Sequence, residues 1–491
     1  MDTPDAAVQA LVAVREQPAR VVQVMTEAVA RHPDNPVVLM AASITALSTG
    51  HHAHAVPWLR RIVHQAPDLP EARHTLVQAL LVVHDVEGAL AALDDGPAGT
   101  PADPRLAPLR VVVLARLGRM AEALALAEAL VDRAAAGFDD PGLWHNLGLL
   151  RAQVGLLKPA RDALRRALEL DPGNTNTRVS LAHALLAGGA WAEGFATYEA
   201  RLSLPGWARP HPLPGRRWTG QPLAGQSLLI AAEQGLGDGL QFLRYIPPLR
   251  RLFSPARVIV ETHAPLARLA ARVPGVDQVA VFSPGDPPPA ADWHVPLASL
   301  ALTVAGGDPL GGSLPLLPCP VAPRGPERKD RRIGLALRSS ARPDLQRDPP
   351  PDAWAPLARV AGVRWVSVLP ADASAPPPPF PLEEPVAAGA DLADTATVLA
   401  GLDLVISVDT AAAHLAGTLG CPLWVLLGPR PDWRWGWGDV SPWYPGARLL
   451  RGAACGWPGL MARVASLLEE DDIPCPDNAP IARDSLPDRG V

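Results

Sequence analysis

Leu404-Val405-Ile406-Ser407-Val408-Asp409-Thr410-Ala411-Ala412-Ala413-His414-Leu415-Ala416-Gly417-Thr418-Leu419-Gly420 is the stretch whose reading decides the fold. Its opening residues form a short apolar, β-branched run of the length of a buried strand. An acid and a hydroxyl follow, and then a helix of small residues. A strand that passes through a polar turn into a helix is the building unit of a parallel α/β sheet. Small side chains let such a helix lie close to the sheet and leave room above its N-terminus. The backbone N–H groups there suit an anion such as a diphosphate. On the residues alone, His414 reads either as a packed, hydrogen-bonded histidine or as a ligand contact.

The same rhythm extends outward on both sides. Pro422 to Leu427 reads as the next strand, and Arg332 to Leu337 and Arg364 to Leu369 as two earlier ones. Asp391 to Ala396 opens a short helix. Further upstream, Ser227 to Ala232 reads as a strand, followed by the turn Glu233-Gln234-Gly235-Leu236-Gly237-Asp238-Gly239, a helix from Leu240 to about Arg251, and the strand Arg257 to Glu261. Gly235, Gly237 and Gly239 are expected to let the chain turn tightly from strand into helix. The turn departs from the G-x-G-x-x-G dinucleotide pattern because an acid sits inside it. Ligands of parallel sheets bind at the carboxyl ends of the strands. An acid there suits a general base, although a helix cap accounts for Asp238 equally well.

Before these units the pattern is of paired helices with a repeat between about 36 and 207. The clearest unit, Pro141 to Asn174, carries Trp144, Leu147, Gly148, Ala160, Ala167 and Pro172. Gly148 and Ala160 mark a close helix crossing, and Pro172 ends the second helix. Leu39, Ala55 and Pro67, then Leu76, Ala89 and Leu93, then Ala123 after a short insertion, then Leu181, Ala182 and Tyr198, fall in register. Residues 1–35 fit a degenerate capping pair. The unit at 141–174 resembles a tetratricopeptide repeat. Such arrays stack into a superhelix whose concave face binds a protein or peptide partner, or serve only as a spacer. His51, His52 and His54 read as a solvated inter-helix turn.

The 491 residues allow two or three domains. A net charge of -6 argues against a nucleic-acid partner gripped through phosphate charge. Cys319, Cys421, Cys455 and Cys475 lack metal-ligand or redox spacing, which fits a reducing compartment. The opening residues lack the pattern of a signal peptide. Apolar runs stay below the ~18 residues of a membrane span. A cytoplasmic location is the expectation. Most of the proline is read as loop material, including the run Pro376 to Pro379. The tryptophans Trp424, Trp433, Trp435, Trp437 and Trp443 are read as packing rather than sugar stacking. The boundaries are an array at 1–207, a linker at 208–225, one Rossmann-like lobe at 226–325, a second at 326–465, and a tail at 466–491.

Three segments carry a wider resemblance: Glu233 to Asp238, Leu402 to Thr410, and Ala413 to Gly417. Together they resemble glycosyltransferase family 9, the heptosyltransferases. With Pro431 to Trp435 and Ser441 to Pro445, they look like bacterial proteins in which tetratricopeptide repeats precede such a domain. The layout is also similar to that of O-linked N-acetylglucosamine transferases. The resemblance implies a multidomain fold, an all-α superhelix followed by a GT-B α/β domain of two Rossmann-like lobes. It implies an inverting glycosyltransferase that uses a nucleotide-sugar donor and needs no metal and no cofactor. Carried over, Asp238 matches the catalytic base, and Asp409, Thr410, Ala411 and His414 match the stretch that contacts the donor diphosphate. Arg338 and Ser339 fall where donor-contacting polar residues stand. Ala411 replaces the family's glycine, and the acceptor-side basic residues of heptosyltransferases are not evident. The acceptor classes implied are a protein, a polysaccharide or a lipid-linked hydroxyl. A non-catalytic repeat scaffold with a degenerate transferase domain, or a sugar-nucleotide epimerase, are the rival readings.

Overall fold

The computed structural model describes residues 1–67, 69–95, 105–134, 139–204, 211–312, 316–317, 330–336, 338–339, 347–370, 378–452 and 456–470. Pro376 and Pro377, and Cys319, Cys455 and Cys475, lie outside the described residues; of the tail read at 466–491, residues 466–469 instead belong to a helix whose apolar face is buried, and 471–491 lie outside the described residues. The expected order holds: a helical array, then an α/β part built on parallel sheets. The chain divides into two compact units, Met1–Arg151 with Asp162–Pro172, and Ala152–Arg161 with Gly173–Val491.

The helices come in pairs: α1 (Pro4–Ala13) and α2 (Pro18–Arg31), α3 (Pro36–Ser48) and α4 (His52–Gln65), α5 (Pro70–Val82) and α6 (Val86–Asp94), α7 (Leu106–Arg116) and α8 (Met120–Ala134), α9 (Pro141–Gln153) and α10 (Leu157–Leu170), and α11 (Thr175–Ala187) and α12 (Trp191–Tyr198). Five of these helices open on proline. Proline was expected mainly in loops. At the first helical position its missing N–H costs nothing, and its fixed φ suits the helix. Thr3, Asn35, Asp85 and Asn174 cap their helices through side-chain oxygens.

A left-handed residue stands at the same place in five inter-helix turns: Gly50 (φ 82°), His84 (63°), Gly118 (77°), Gly155 (83°) and Gly189 (77°). The intervals between them are 34, 34, 37 and 34 residues, so the period survives the short insertion before the fourth turn. The positions read as repeat signatures are buried: Leu39, Ala55, Leu76, Ala89, Leu93, Ala123, Leu147, Ala160, Ala167, Leu181, Ala182 and Tyr198. Apart from Tyr198, their alanine or leucine side chains are what allow paired helices to close on one another.

The last pair belongs to the second unit. Val179, Ala182 and Leu186 of α11 and Phe195 and Tyr198 of α12 share one hydrophobic core with residues from Trp218 to Leu449. The Phe195 ring meets those of Phe242, Trp433 and Trp443 at centroid distances of 6.1, 6.0 and 6.1 Å. These edge-to-face contacts suit the aromatic quadrupole.

The first sheet has β1 (Arg216–Arg217), β2 (Ser227–Ala231), β3 (Arg257–Thr262), β4 (Gln278–Val281) and β5 (Trp293–Pro296), in the order β1-β5-β2-β3-β4. Between them run α13 (Leu236–Phe242), α14 (Ile246–Phe253), α15 (Ala267–Ala270) and α16 (Ser299–Ala305). The second sheet has β6 (Arg331–Ala336), β7 (Val363–Ser367), β8 (Leu382–Glu383), β9 (Leu404–Val408), β10 (Leu423–Leu427) and β11 (Ala447–Arg451), in the order β11-β10-β9-β6-β7-β8. Its helices are α17 (Leu392–Leu399), α18 (Ala411–Leu419) and α19 (Gly456–Glu469). Every pairing within both sheets is parallel. The second order is that of a doubly wound sheet, which reverses between β6 and β9 and opens a crevice at their carboxyl ends.

Two expectations are corrected here. Within 208–225, read as a linker, the described residues 211–225 belong to the first sheet and its core. Arg216 and Arg217 pair with Trp293 and His294, and Trp218 is buried with its indole N–H donating to the Gln221 carbonyl at 2.7 Å. A large indole gains too much by burial to be left in a solvated tether. The helix expected from Leu240 begins instead at Leu236 and breaks before Ile246. Pro247 and Pro248 cannot donate hydrogen bonds to a continuing helix, so the chain starts a new one.

His84 is exposed in a left-handed conformation that its four counterparts meet with glycine. Replacing it with glycine removes a steric cost that outweighs the added freedom of the unfolded chain. We expect His84→Gly to raise the stability of the array by about 1 kcal/mol, read as a higher urea midpoint, and a lower midpoint would refute the assignment of strain to this turn.

Candidate functional site

The first half of the site is the turn from β2 into α13. Glu233 is taken up structurally: its carboxylate receives Arg201 Nε and Nη2 at 2.9 and 2.8 Å and the Ala298 N–H at 2.7 Å. Gln234 makes the turn itself, with φ 51°. Such a conformation costs a non-glycine residue energy and persists only when neighbours enforce it. Here His263 Nε2 lies 2.8 Å from the Gln234 carbonyl, and the Gln234 amide donates to Tyr198 Oη at 2.7 Å. Asp238 stands in the first turn of α13, where its Oδ2 accepts the Gly235 N–H at 3.0 Å. The helix-cap reading of Asp238 is therefore realised at the third helical position.

The three glycines work differently from the expectation. None of them has a positive φ. Gly237 and Gly239 are needed for close approach: a Cβ on Gly237 would stand 2.8 Å from His414 Cδ2, and one on Gly239 would collide with the Leu266 side chain. Gly235 is under neither constraint; its nearest neighbour would be Asp238 Oδ2 at 3.6 Å.

The second half is the crevice edge of the other sheet. β9 delivers Asp409 and Thr410, and Thr410 is the N-cap of α18. The Thr410 hydroxyl makes no cap bond and pairs with Ser407 Oγ at 3.0 Å. Ala411 begins the helix. Asp409 is ion-paired with Arg347. Burial and the neighbouring Asp432 carboxylate push its pKa up. Ser339, beyond β6, donates its N–H and its hydroxyl to the two oxygens of buried Asp348, each at 2.8 Å. Arg347 and Asp348 are adjacent, so one loop ties the end of β6 to the end of β9. Arg338 is partly buried beside Ser339.

His414 is buried, 4% exposed. Its Nδ1 lies 2.9 Å from Tyr444 Oη, and its ring lies against Trp435 at 4.9 Å. Burial above all, with help from the nearby Arg434 charge, lowers its pKa to about 3. The imidazole is therefore neutral throughout the physiological range.

Residues between β10 and β11 join the halves. Arg434, 9% exposed, sits over the Trp433 ring at 4.3 Å. Its Nη1 reaches Asp432 Oδ1 at 2.8 Å, and its Nη2 reaches Gln234 Oε1 at 3.0 Å and also pairs with Asp238. Burial opposes ionisation of Asp432, but the Arg434 charge and hydrogen bonds more than offset it and hold its pKa low. The structure thus brings Asp238, Asp409, Thr410, Ala411 and His414 to one place, with Ser339 linked through the Arg347–Asp348 loop. Reasoning from sequence missed Arg434, Asp432, Arg347, Gln234 and Tyr444. The signal that was present is the segment Asp432-Trp433-Arg434-Trp435, where charges alternate with tryptophans just after a buried strand. Trp424, Trp433, Trp435 and Trp443 are buried as packing residues. Among the described residues, no three His, Cys, Asp or Glu side chains are grouped to hold a metal ion, and no helix is long and apolar enough to cross a membrane.

Comparison with known proteins agrees with this picture. Residues 383–454 match the model of glycosyltransferase family 9 (heptosyltransferase). The match runs from β8 to β11, includes Asp409 to His414 and Arg434, and leaves Asp238 outside. Protein FlbA of Caulobacter vibrioides is 28% identical over 374 residues, 67% of this chain and 61% of its own length. The chain therefore spans about three-fifths of the curated relative it matches. The glycosyl transferase family 9 structure from Veillonella parvula is 13% identical, with a TM-score of 0.37 over 50% of this chain and 98% of that one. A thermophilic TPR protein of Thermus thermophilus is 23% identical, with a TM-score of 0.31 over 38% of this chain and 100% of its own. The resemblance read from the sequence is borne out by the family match over residues 383–454 and by the regularly spaced helix pairs that precede it.

The buried imidazole gives a pH signature. Unfolded, His414 takes up a proton near its ordinary pKa of 6.5; folded, only near 3. Its contribution is thus intact above the unfolded value and declines as pH falls towards the folded one. We expect the His414 ring resonances to stay untitrated between about pH 5 and 8 by NMR. The loss of stability on acidification from pH 6.5 should be smaller in His414→Gln. A ring that titrates near pH 6.5 would show that the imidazole is not held neutral.

Proposed function

We propose that the α/β part moves a sugar from a nucleotide-sugar donor to an acceptor hydroxyl with inversion and without a metal, on a GT-B frame whose second lobe holds the donor. The observation that carries this reading is the meeting of Asp238 with the first turn of α18 at the carboxyl ends of two parallel sheets. Parallel sheets place ligands at that edge, and the family match covers the α18 side.

In this reading Asp238 takes the proton of the acceptor hydroxyl as its oxygen attacks the anomeric carbon. The bond from that carbon to the diphosphate oxygen breaks on the opposite face. Negative charge then grows on the leaving nucleoside diphosphate. The backbone N–H groups of Ala411 and Ala412, which have no partner within the helix, meet that charge. Thr410 offers its hydroxyl. Arg338, Ser339 and His414 contact the donor, and a neutral His414 that accepts from Tyr444 at Nδ1 carries its proton on Nε2. Asp409 orients Arg347 at the same edge.

The sugar is of hexosyl or heptosyl type. The acceptor is a hydroxyl on a protein, a polysaccharide or a lipid-linked intermediate, and the repeats recruit it or a partner protein. The layout supports this, because the last helix pair of the array and the turn that follows it reach the catalytic turn through Tyr198 and Arg201.

The test is a thermal-shift screen against nucleotide sugars and nucleoside diphosphates. A ligand that binds only the folded chain raises its melting temperature, by an amount corresponding to about 2.7 kcal/mol at a hundredfold excess over Kd. We expect one nucleotide class to give such a shift, and Asp238→Asn to retain it while turnover falls by a factor on the order of 10² or more. Unchanged turnover in Asp238→Asn would exclude the base, and no shift with any nucleotide would favour a scaffold that binds partners through its repeats.

A further inference from the structure

Arg434 is held in two distinct ways. Its own loop supports it from behind: Asp432 balances its charge through Nη1 at 2.8 Å, and the Trp433 ring lies 4.3 Å from the guanidinium carbon. Its other edge is turned to a different sheet, where Nη2 meets Gln234 Oε1 at 3.0 Å and the Asp238 carboxylate. Among the described residues, Nε is buried with no hydrogen-bond partner. The charge is thus already balanced once by Asp432, and Asp238 is a second, more exposed partner; the two side chains are 11% and 21% exposed.

The forward edge lies beside the start of α18. A Cβ on Gly237, next to Asp238, would stand 2.8 Å from His414, and Trp435, next to Arg434, lies tilted against the same imidazole at 4.9 Å. An anion seated on the first-turn N–H groups of α18 therefore finds Arg434 as a neighbouring cation. A guanidinium presents a planar fork that fits phosphate oxygens as well as it fits a carboxylate. While Arg434 grips Asp238, an acceptor hydroxyl reaching Oδ1 has to share that oxygen with the guanidinium.

We propose that Arg434 is a ligand of the donor diphosphate, held in reserve by Asp238 until the diphosphate takes that place and releases the carboxylate. The inference rests on the glycosyltransferase reading above and adds to it a residue and an order of events. Arrival of the donor supplies the cation to the leaving group and uncovers the base in one exchange. The diphosphate and Asp238 compete for the same fork, so removing each protein partner has an opposite effect on diphosphate affinity.

The experiment is calorimetric titration of the full chain with UDP, GDP, CDP, ADP and inorganic pyrophosphate. Wild type is compared with Arg434→Lys, Arg434→Gln and Asp238→Asn, each checked for folding by circular dichroism and melting temperature. The ligand that binds wild type is expected to lose tenfold or more in affinity in Arg434→Gln and less in Arg434→Lys, and to bind several-fold tighter in Asp238→Asn. Wild-type binding that is unchanged in both arginine variants overturns the exchange and leaves the donor reading standing. If Arg434→Gln does not fold, Asp238→Asn decides: equal or weaker binding there overturns the exchange. If none of the five probes binds wild type, the donor reading falls, and the exchange falls with it.

Discussion

The close approach of α13 to α18 across Gly237 is the constraint on which the rest of the site depends. A single added carbon at Gly237 would stand 2.8 Å from the His414 ring. That ring cannot retreat, because Tyr444 and Trp435 hold it from behind. The Gly417 backbone leaves space for the Tyr444 ring in turn, since any side chain there would collide with it. Two helices from two separate sheets thus meet with a glycine on one set against a histidine ring on the other. Only at this spacing can Arg434 span from its own loop to the turn after β2. Burial in this region is dense enough to silence the His414 charge and to make unpaired carboxylates costly. Arginines answer them: Arg434 between Asp432 and Asp238, and Arg347 on Asp409.

Much of this was legible in the sequence, and the reasons are local. The strand β9, its Asp409–Thr410 turn and α18 were readable because an apolar run and a small-residue helix differ in period and composition. The helix pairs were readable because Leu147, Gly148, Ala160 and Ala167 sit at fixed places in a repeat. The left-handed turn residues follow the same period, and His84 shows that the backbone keeps its conformation where the glycine is missing. The helical array and the α/β part on parallel sheets therefore followed from short-range pattern.

What escaped was long-range. Arg434 is separated in sequence by about two hundred residues from the Gln234 and Asp238 it grips, and no periodicity announces such a pair. The same holds for Arg244, whose Nη1 reaches the Trp443 carbonyl at 2.7 Å. The turn glycines were readable as glycines but not for their reason, since sequence suggests freedom of φ where the structure requires space. The stretch around Trp218 was misread because its proline, glycine and arginine content matches a tether, while a single buried indole decides otherwise.

The last helix pair has a consequence for how such chains diversify. α11 and α12 carry the repeat's signature residues yet share their hydrophobic core with the sheets, and Tyr198 and Arg201 bond to the turn that holds Asp238. Recombination that swaps one repeat array for another has to splice before Ala152, because Ala152–Arg161 of the preceding pair also belongs to the second unit. A junction placed where the repeat pattern ends would strip Phe195 and Tyr198 from the aromatic cluster and leave Glu233 without its arginine. The final repeat and the turn of the one before it are therefore tied to the α/β part, while the earlier pairs share neither its core nor its unit.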